Sequence, residues 1–370
     1  RTLFPYTTLF RSTVHKSLAL ASWGGMTALA SGTDPTMGTG PSIGRYFSIV
    51  SMIPSVLFTL WLYLLIAAGA LTDGPQVARA VENNPVSHPI YTVTSLFIAL
   101  AIAIVCHPLQ FMIVQLMEGY WPNTPVFRRA RNLMIMGHLQ RLQRAYSRKR
   151  KADSRRKALP VPDSGDVNQY LAPKRIGQNY YSALEIIDTQ ADLEAWEFAR
   201  SSYPSNRTAL LPTMLGNTLR KYELTAGAAC HLPILKWATH IGMVADPNHT
   251  RYVNDQRTQV DLAVRVSASA YLAAVVTFAA LWPKGWAALL SLIPYAVGLL
   301  SYKGAVVAAN SYGAALCAWT DLNRVRLYEQ LGLPRPASTD DERRQNDALE
   351  DLLLGNDTYT AELRTTTTES

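Results

Sequence analysis

The sequence predicts an all-α polytopic membrane protein with four transmembrane helices, arranged as two hairpins, and a helical cytoplasmic region. Three observations predict this fold class. Only 17% of the 370 residues are charged, whereas a typical soluble domain has about 25%. The apolar residues are concentrated in four long uncharged runs, and a dense basic segment follows the second run. Three cysteines are too few for a disulfide-stabilised scaffold.

The first 44 residues precede the predicted membrane part. Residues 2–12 match the in-frame translation of a common sequencing adapter, so we assign 1–12 to an artefact and exclude it from the fold. Residues 13–44 are rich in Gly, Ser, Thr and Ala without a sustained period, which predicts a flexible segment.

Four runs predict transmembrane helices, at about 47–72, 90–117, 266–283 and 285–302. The first two contain 26 and 28 uncharged residues. At about 1.5 Å per residue, each can cross the roughly 30 Å hydrocarbon layer. The last two contain 18 residues each and are separated by Lys284, within an interfacial turn flanked by Trp282 and Trp286. A buried hairpin of a soluble domain is the alternative for this last pair.

Basic residues predict the orientation. The segment from Pro122 to Pro160 has 12 Lys or Arg and one Asp, whereas the loop from Asp73 to Pro89 has one Arg, one Asp and one Glu. The positive-inside rule therefore places the basic segment and both termini in the cytoplasm, with Lys284 outside. The predicted location is a bacterial cytoplasmic membrane.

The predicted hairpins, 45–121 and 266–303, leave three regions between and after them: a basic, helical cytoplasmic region at 122–265, a cytoplasmic helix at 304–336, and an acidic, partly disordered tail at 337–370. Residues 148–162 are predicted to be a flexible linker, because like charges repel and prolines end helices. Residues 255–265 are predicted to continue as one helix into the third span. One hypothesis is that the acidic tail pairs with the basic segment.

A basic amphipathic helix is predicted early in the cytoplasmic region. Its apolar residues recur at helical spacing: Leu133, Met136, Leu139, Leu142 and Tyr146. Six arginines are candidate contacts to anionic lipid headgroups: Arg128, Arg129, Arg131, Arg141, Arg144 and Arg148. A solvated helix face that acts only as a topology signal is the alternative. Nucleic acid is not an expected partner, because no recognition fold or aromatic platform accompanies the charge.

Polar residues on the second span form another candidate site. His107, Gln110 and Glu118 fall within about 80° of one another on a helix, with Gln115 beside them. At this depth such a stripe faces protein or water. It either lines an ion pathway or makes hydrogen bonds between helices.

No catalytic, cofactor or metal site is predicted. The sequence has no glycine-rich phosphate loop, nucleophile elbow or metalloprotease pair. His231, His240 and His249 repeat every nine residues, so successive rings would point to opposite faces of a helix. This spacing argues against a zinc site.

Several short strings along the chain form a set: His107-Pro-Leu-Gln110, Glu118-Gly-Tyr-Trp121, Leu211-Pro-Thr213, Leu215-Gly-Asn217, Leu219-Arg220, Thr258-Gln-Val-Asp-Leu262, Leu327-Tyr-Glu329 and Leu331-Gly-Leu-Pro334. Together they resemble one group of uncharacterised multi-pass bacterial membrane proteins, over roughly residues 44–336. Met214 stands where that group usually has Arg, and residues 230–238 differ further. The resemblance implies four spans with a helical cytoplasmic region, and it implies no activity.

The sequence thus predicts a non-enzymatic membrane scaffold or signalling component that binds partners through its cytoplasmic helices. The alternative is an oligomeric channel or transporter whose pathway is lined by the second span. A membrane-bound enzyme ranks third, because no catalytic constellation is visible. The expected partners are the bilayer with its anionic headgroups and, for a pore, further copies of the chain, since four spans are few for a monomeric transporter.

Overall fold

The computed structural model describes residues 52–79 except 71, 73 and 77, residues 89–158, and residues 176–353. Secondary structure in these residues is entirely helical, which confirms the all-α prediction. The α-helices in chain order are α1 (Ile53–Ala67), α2 (Pro89–Glu118), α3 (Pro125–Ala158), α4 (Ile176–Ser201), α5 (Met214–Thr225), α6 (Ile234–Val244), α7 (Pro247–Leu281), α8 (Leu292–Gln330) and α9 (Thr339–Leu353).

The chain divides into two compact units. Residues 118–221 form one of them, which we call the basic unit. The residues up to Met117 and from Tyr222 onward form the other, the hairpin unit. The predicted cytoplasmic region 122–265 is therefore shared between the two units, and its last part packs with the hairpin unit.

α7 and α8 run side by side in opposite directions. Near one end, the rings of Tyr271 and Tyr295 have centroids 5.8 Å apart, and near the other, Trp319 Nε1 donates to Thr250 Oγ1 at 3.2 Å. α7 has no break between its charged first half and its apolar second half, so the predicted continuous helix is confirmed. α8 also continues unbroken through the predicted boundary at 303/304, because the Ala-rich sequence there favours a helix and Gly304 weakens it by only about 1 kcal/mol.

The closed end of this hairpin is a 3₁₀ turn at Trp282–Ser291. Gly285 has φ +62° and ψ −117°, a conformation open to glycine but costly for residues with a Cβ atom. Trp282 and Trp286 are 68% and 88% exposed. Lys284 Nζ donates to the carbonyl oxygen of Thr72 at 2.5 Å, so the residues that follow α1 lie at this closed end.

α1 packs against α7 near the closed end. Trp61 Nε1 donates to the hydroxyl of Thr277 at 2.9 Å, and Thr277 is fully buried. Leu65, Ala70 and Leu281 form a small buried cluster beside this bond. α1 covers 53–67 of the predicted span 47–72, and residues 1–51 lie outside the described residues. α2 agrees with the predicted span 90–117.

The C-terminal helix α9 is held by ion pairs and buried polar groups. Arg324 Nε donates to Glu342 Oε1 at 2.8 Å, and the hydroxyl of Tyr328 donates to the same oxygen at 3.1 Å. Burial raises the pKa of Tyr328, so its hydroxyl stays a donor. Asp347 pairs with His231 Nδ1 at 3.0 Å. These acids pair within the hairpin unit; the tail beyond Leu353 lies outside the described residues, so its pairing with the basic segment stays a hypothesis.

The prediction of a flexible linker at 148–162 is wrong as far as Ala158, because α3 continues to that residue. Arginine and lysine are good helix formers when they are solvated, and the first proline, Pro160, comes only after the helix has ended. Repulsion between like charges on neighbouring turns costs only a few tenths of a kcal/mol per pair, about as much as an attractive pair contributes.

Candidate functional site: the joint and the arginine cleft of the basic unit

The polar stripe predicted on the second span lies on α2. The side chains of His107 and Gln110 lie outside the described residues, so their surroundings stay a prediction. Gln115 is half-buried, and Glu118, the last residue of the helix, is buried. The described part of the stripe therefore ends in a buried side chain.

Glu118 is fixed to the start of α5 by a set of close contacts that we call the joint (Glu118, Gly119, Pro212, Thr213 and Gly216). Thr213 Oγ1 donates to the carbonyl oxygen of Glu118 at 2.6 Å and accepts the N–H of Gly216 at 3.1 Å, so this side chain caps the start of α5. A Cβ atom at position 216 would lie 2.0 Å from the same carbonyl oxygen. The close approach of two backbones thus requires glycine there.

A buried asparagine holds the chain that leads into the joint. Asn217 Nδ2 donates to the carbonyl oxygen of Leu211 at 2.9 Å, and Asn217 Oδ1 accepts the N–H of Leu211 at 2.8 Å. The short strings around Glu118, Thr213 and Asn217 therefore meet in space. The sequence does not predict this contact, because Glu118 and Thr213 are 95 residues apart in the chain.

His138 of α3 connects the joint to Tyr203, two residues after the end of α4. Its Nε2 lies 3.0 Å from the carbonyl oxygen of Pro212 and its Nδ1 lies 3.0 Å from the hydroxyl of Tyr203. A neutral ring that carries its proton on Nε2 satisfies both partners, because the carbonyl accepts and the hydroxyl donates. Burial lowers the pKa of His138, and the bond to Pro212 opposes this in part.

Acidification is expected to loosen the basic unit. Because the folded state holds the His138 proton less tightly than the unfolded chain does, the stability contributed by the neutral ring is complete above about pH 6.5 and is lost as the pH falls through the lowered pKa. Hydrogen exchange of α3 and α4 in the full chain, corrected for intrinsic rates, measures this loss. His138→Gln is expected to flatten the pH dependence, and an unchanged slope in that variant would contradict the assignment.

The six predicted headgroup arginines do not share one surface. Arg128 and Arg129 are exposed and Arg131 is half-buried, and at 100° per residue these three point to different sides of α3. The other three line one cleft between α3 and α4: Arg141, Arg144 and Arg148. Three of the six predicted arginines are therefore scattered around α3, and the other three are clustered at one cleft.

The cleft between α3 and α4 has a volume of about 310 Å³. α4 contributes Asp192 and Trp196 to its wall, and alanines contribute the remaining lining: Ala145, Ala195 and Ala199. Trp196 is nearly buried, with the edge of Tyr146 against its ring, and Lys149 Nζ lies 6.0 Å from its centroid. We call this feature the arginine cleft.

The predicted apolar stripe of α3 faces outward over most of its length. Leu142 is buried with Tyr203 and Leu210, but the other four residues are exposed, with Leu133 at 69%: Leu133, Met136, Leu139 and Tyr146. α3 packs instead through a neighbouring face that includes Ile135, His138 and Ala152. The stripe is thus available for contact with something outside this chain.

Among the described residues, no group of three His, Cys, Asp or Glu side chains is placed to hold a metal ion. His231 pairs with Asp347, and His240 stacks at 5.2 Å on Trp237. His249 Nδ1 lies 3.4 Å from an oxygen of Asn323.

No protein-family model matches this chain, and no curated protein and no solved structure matches it.

Proposed function

We propose that this chain is a four-span integral membrane protein that serves as a non-enzymatic scaffold or signalling component, with its basic unit at the cytoplasmic membrane surface. The exposed apolar surface of the α7–α8 hairpin carries this proposal. Among the described residues, one helical stretch, Pro247–Gln330, is long and apolar enough to cross a membrane. Of its most apolar window, 33% is buried. Exposure of so much apolar surface favours lipid over water as its solvent.

Polar and apolar side chains are inverted along this hairpin relative to a soluble protein. Between residues 266 and 302 the only charged residue is Lys284, at the turn. Hydroxyl groups lie inside, where Ser267 Oγ donates to the carbonyl oxygen of Gly298 at 2.9 Å. Large apolar side chains lie outside: Leu272, Val275, Phe278, Leu289, Ile293, Val297 and Leu300. Internal hydroxyl bonds and an apolar exterior are typical of helices packed in a bilayer.

Two further helices are the candidates for the first two of the four proposed spans. α1 and the Val93–Ile102 part of α2 are apolar, although each is shorter than the about 20 residues that cross a membrane. The predicted first span begins at residue 47 and so extends beyond the described helix. The predicted topology places the end of the first span and the α7–α8 turn on the same, outer side of the membrane. The hydrogen bond from Lys284 to Thr72 is consistent with that placement.

The scaffold function rests on the surfaces of the basic unit. The exposed stripe of α3, the exposed arginines and the arginine cleft together offer apolar and cationic groups on one short piece of chain. Such a combination suits anionic lipid headgroups, each well-placed cation contributing about 1 kcal/mol. Protein partners would dock on the same exposed helices. The channel alternative stays a prediction that concerns the side chains of His107 and Gln110.

Membrane extraction and site-directed labelling test this proposal. We expect the chain without residues 1–12 to stay in the membrane pellet after alkaline carbonate and to leave it only in detergent. In a background without cysteine, Lys284→Cys is expected to react with an impermeant maleimide from outside the cell, and Arg150→Cys only after the cells are opened. Release by carbonate would contradict the membrane proposal, and outside labelling at position 150 would invert the orientation.

A further inference from the structure

We propose that the arginine cleft is a binding site for a phosphate group. It deepens the proposed function, since a membrane protein with the basic unit at the bilayer surface would meet phosphate chiefly as lipid headgroup. The site is narrower than the predicted set of six arginines: it consists of Arg141, Arg144 and Arg148 on α3, opposite α4.

Three arginines from consecutive turns of α3 line the cleft, and Arg141 also makes a hydrogen bond with Tyr203. At 100° per residue, positions 141, 144 and 148 lie within about 60° of one another. Within the described chain, none of the three guanidinium groups forms an ion pair with a carboxylate. Lys149 adds a fourth positive charge beside them. Asp192 is a single acid against these cations, so the cleft keeps an excess of positive charge that an anion would offset.

The shape and chemistry of the cleft match a phosphate. The planar guanidinium fork donates two parallel hydrogen bonds to phosphate oxygens, and several forks together can surround one group. A volume of about 310 Å³ is at the lower end for ligand pockets, which range over about 300–1,000 Å³. Short side chains at Ala145, Ala195 and Ala199 leave the interior free. The cleft therefore accommodates a headgroup rather than a large ligand.

The position of the cleft in the chain favours a lipid as the source of the phosphate. Only residues 119–124 separate α3 from α2, the second predicted span. Leu133 and Met136, on the same helix, expose apolar surface that would enter the interfacial layer. A soluble phosphate compound has the same group, so the experiment must compare the two sources.

The experiment uses the full chain in nanodiscs and two variants of equal charge. The cleft variant is Arg141→Gln/Arg144→Gln/Arg148→Gln, and the control is Arg128→Gln/Arg150→Gln/Arg156→Gln, which removes three exposed cations outside the cleft. One arm compares phosphatidylcholine nanodiscs with nanodiscs that also contain phosphatidylglycerol, and the other titrates inorganic phosphate. Hydrogen exchange of peptides from 141–148 and 192–199 reports occupancy, and far-UV circular dichroism checks the helices.

We expect anionic lipid to protect both peptides from exchange in the unaltered chain. In the cleft variant, half-maximal protection should need about a hundredfold higher content of anionic lipid, because three cations contribute roughly 1 kcal/mol each. The control should shift by about threefold through screened long-range charge. Equal shifts in both variants would mean diffuse attraction and would overturn the site. Protection by inorganic phosphate alone would support the site with a soluble ligand. No protection in either arm would overturn it.

Asp192 provides an independent test of the charge of the ligand. Its carboxylate lines the cleft and opposes an anion, so Asp192→Asn is expected to tighten binding by about twofold to threefold. Weaker binding in this variant would contradict a simple phosphate site. Failure of the cleft leaves the carbonate and labelling results unchanged, and failure of membrane insertion leaves the inorganic phosphate arm interpretable, so the two proposals can fail separately.

Discussion

Val275→Arg is expected to prevent stable membrane insertion of the α7–α8 hairpin. Val275 is 65% exposed in the middle of the apolar half of α7, so the new charge would face lipid rather than protein. An arginine at the centre of a transmembrane helix costs about 2.5–3.5 kcal/mol on insertion scales. Because the first two proposed spans would still hold the chain in the membrane, the readout is the hairpin turn itself: labelling of Lys284→Cys by the impermeant maleimide from outside the cell should fall severalfold.

Met243→Arg is the matched control for this substitution. Met243 is 82% exposed at the end of α6, outside every predicted span. In water, an exposed apolar residue is replaced by arginine at little cost, usually within about 0.5 kcal/mol. Met243→Arg should leave the outside labelling of Lys284→Cys unchanged, so unchanged labelling in Val275→Arg as well would contradict the assignment of the hairpin to the membrane.

Gly216→Ala is expected to break the joint at the end of α2. The added methyl group would lie 2.0 Å from the carbonyl oxygen of Glu118, and that oxygen belongs to backbone that α2 and Thr213 hold in place. Overpacking of this kind costs about 3 kcal/mol or more, because neither backbone can move away without losing hydrogen bonds. Thermal unfolding in detergent and hydrogen exchange of residues 211–217 measure the loss.

Gly137→Ala is the control, since it is another glycine inside a helix. A Cβ atom at position 137 would meet nothing within 4 Å. Alanine is favoured over glycine in a helix interior by roughly 0.5–1 kcal/mol, so this variant should be slightly more stable than the unaltered chain. Comparable destabilisation of both variants would show that the joint does not depend on the close approach of Gly216 and Glu118.

The helical architecture could be predicted from local sequence. Uncharged runs, the Pro-Lys-Gly turn at Lys284 and the continuous helix through residues 255–265 all depend on patterns within about 30 residues. The end of α3 was mispredicted because charge density was weighed above the helix propensity of arginine and lysine. At the start of α9 the cap is Ser338, whose Oγ accepts the N–H of Asp341 at 3.2 Å. Boundaries are the weakest part of such predictions.

The candidate sites were predicted less well than the helices. Leu133 and Met136 were correctly identified as one apolar stripe, but α3 packs through a neighbouring face, because small and polar residues there fit against α4. Arg141, Arg144 and Arg148 could be named as cations, whereas their separation from Arg128 and Arg129 depends on which side of α3 meets α4. The helical period of a sequence shows which residues share a face of a helix. It does not show which of those faces another helix, distant in the chain, will cover.

The sequence by itself determined that this protein is helical and that its longest apolar runs contain almost no charge. Those properties are local sums of hydrophobicity, propensity and charge along the chain. Only the tertiary structure decided that Gly216 must be a glycine, that His138 bridges Pro212 and Tyr203, and that three arginines share a cleft. Each of these depends on a few ångströms between residues far apart in the chain, and no periodicity records that separation.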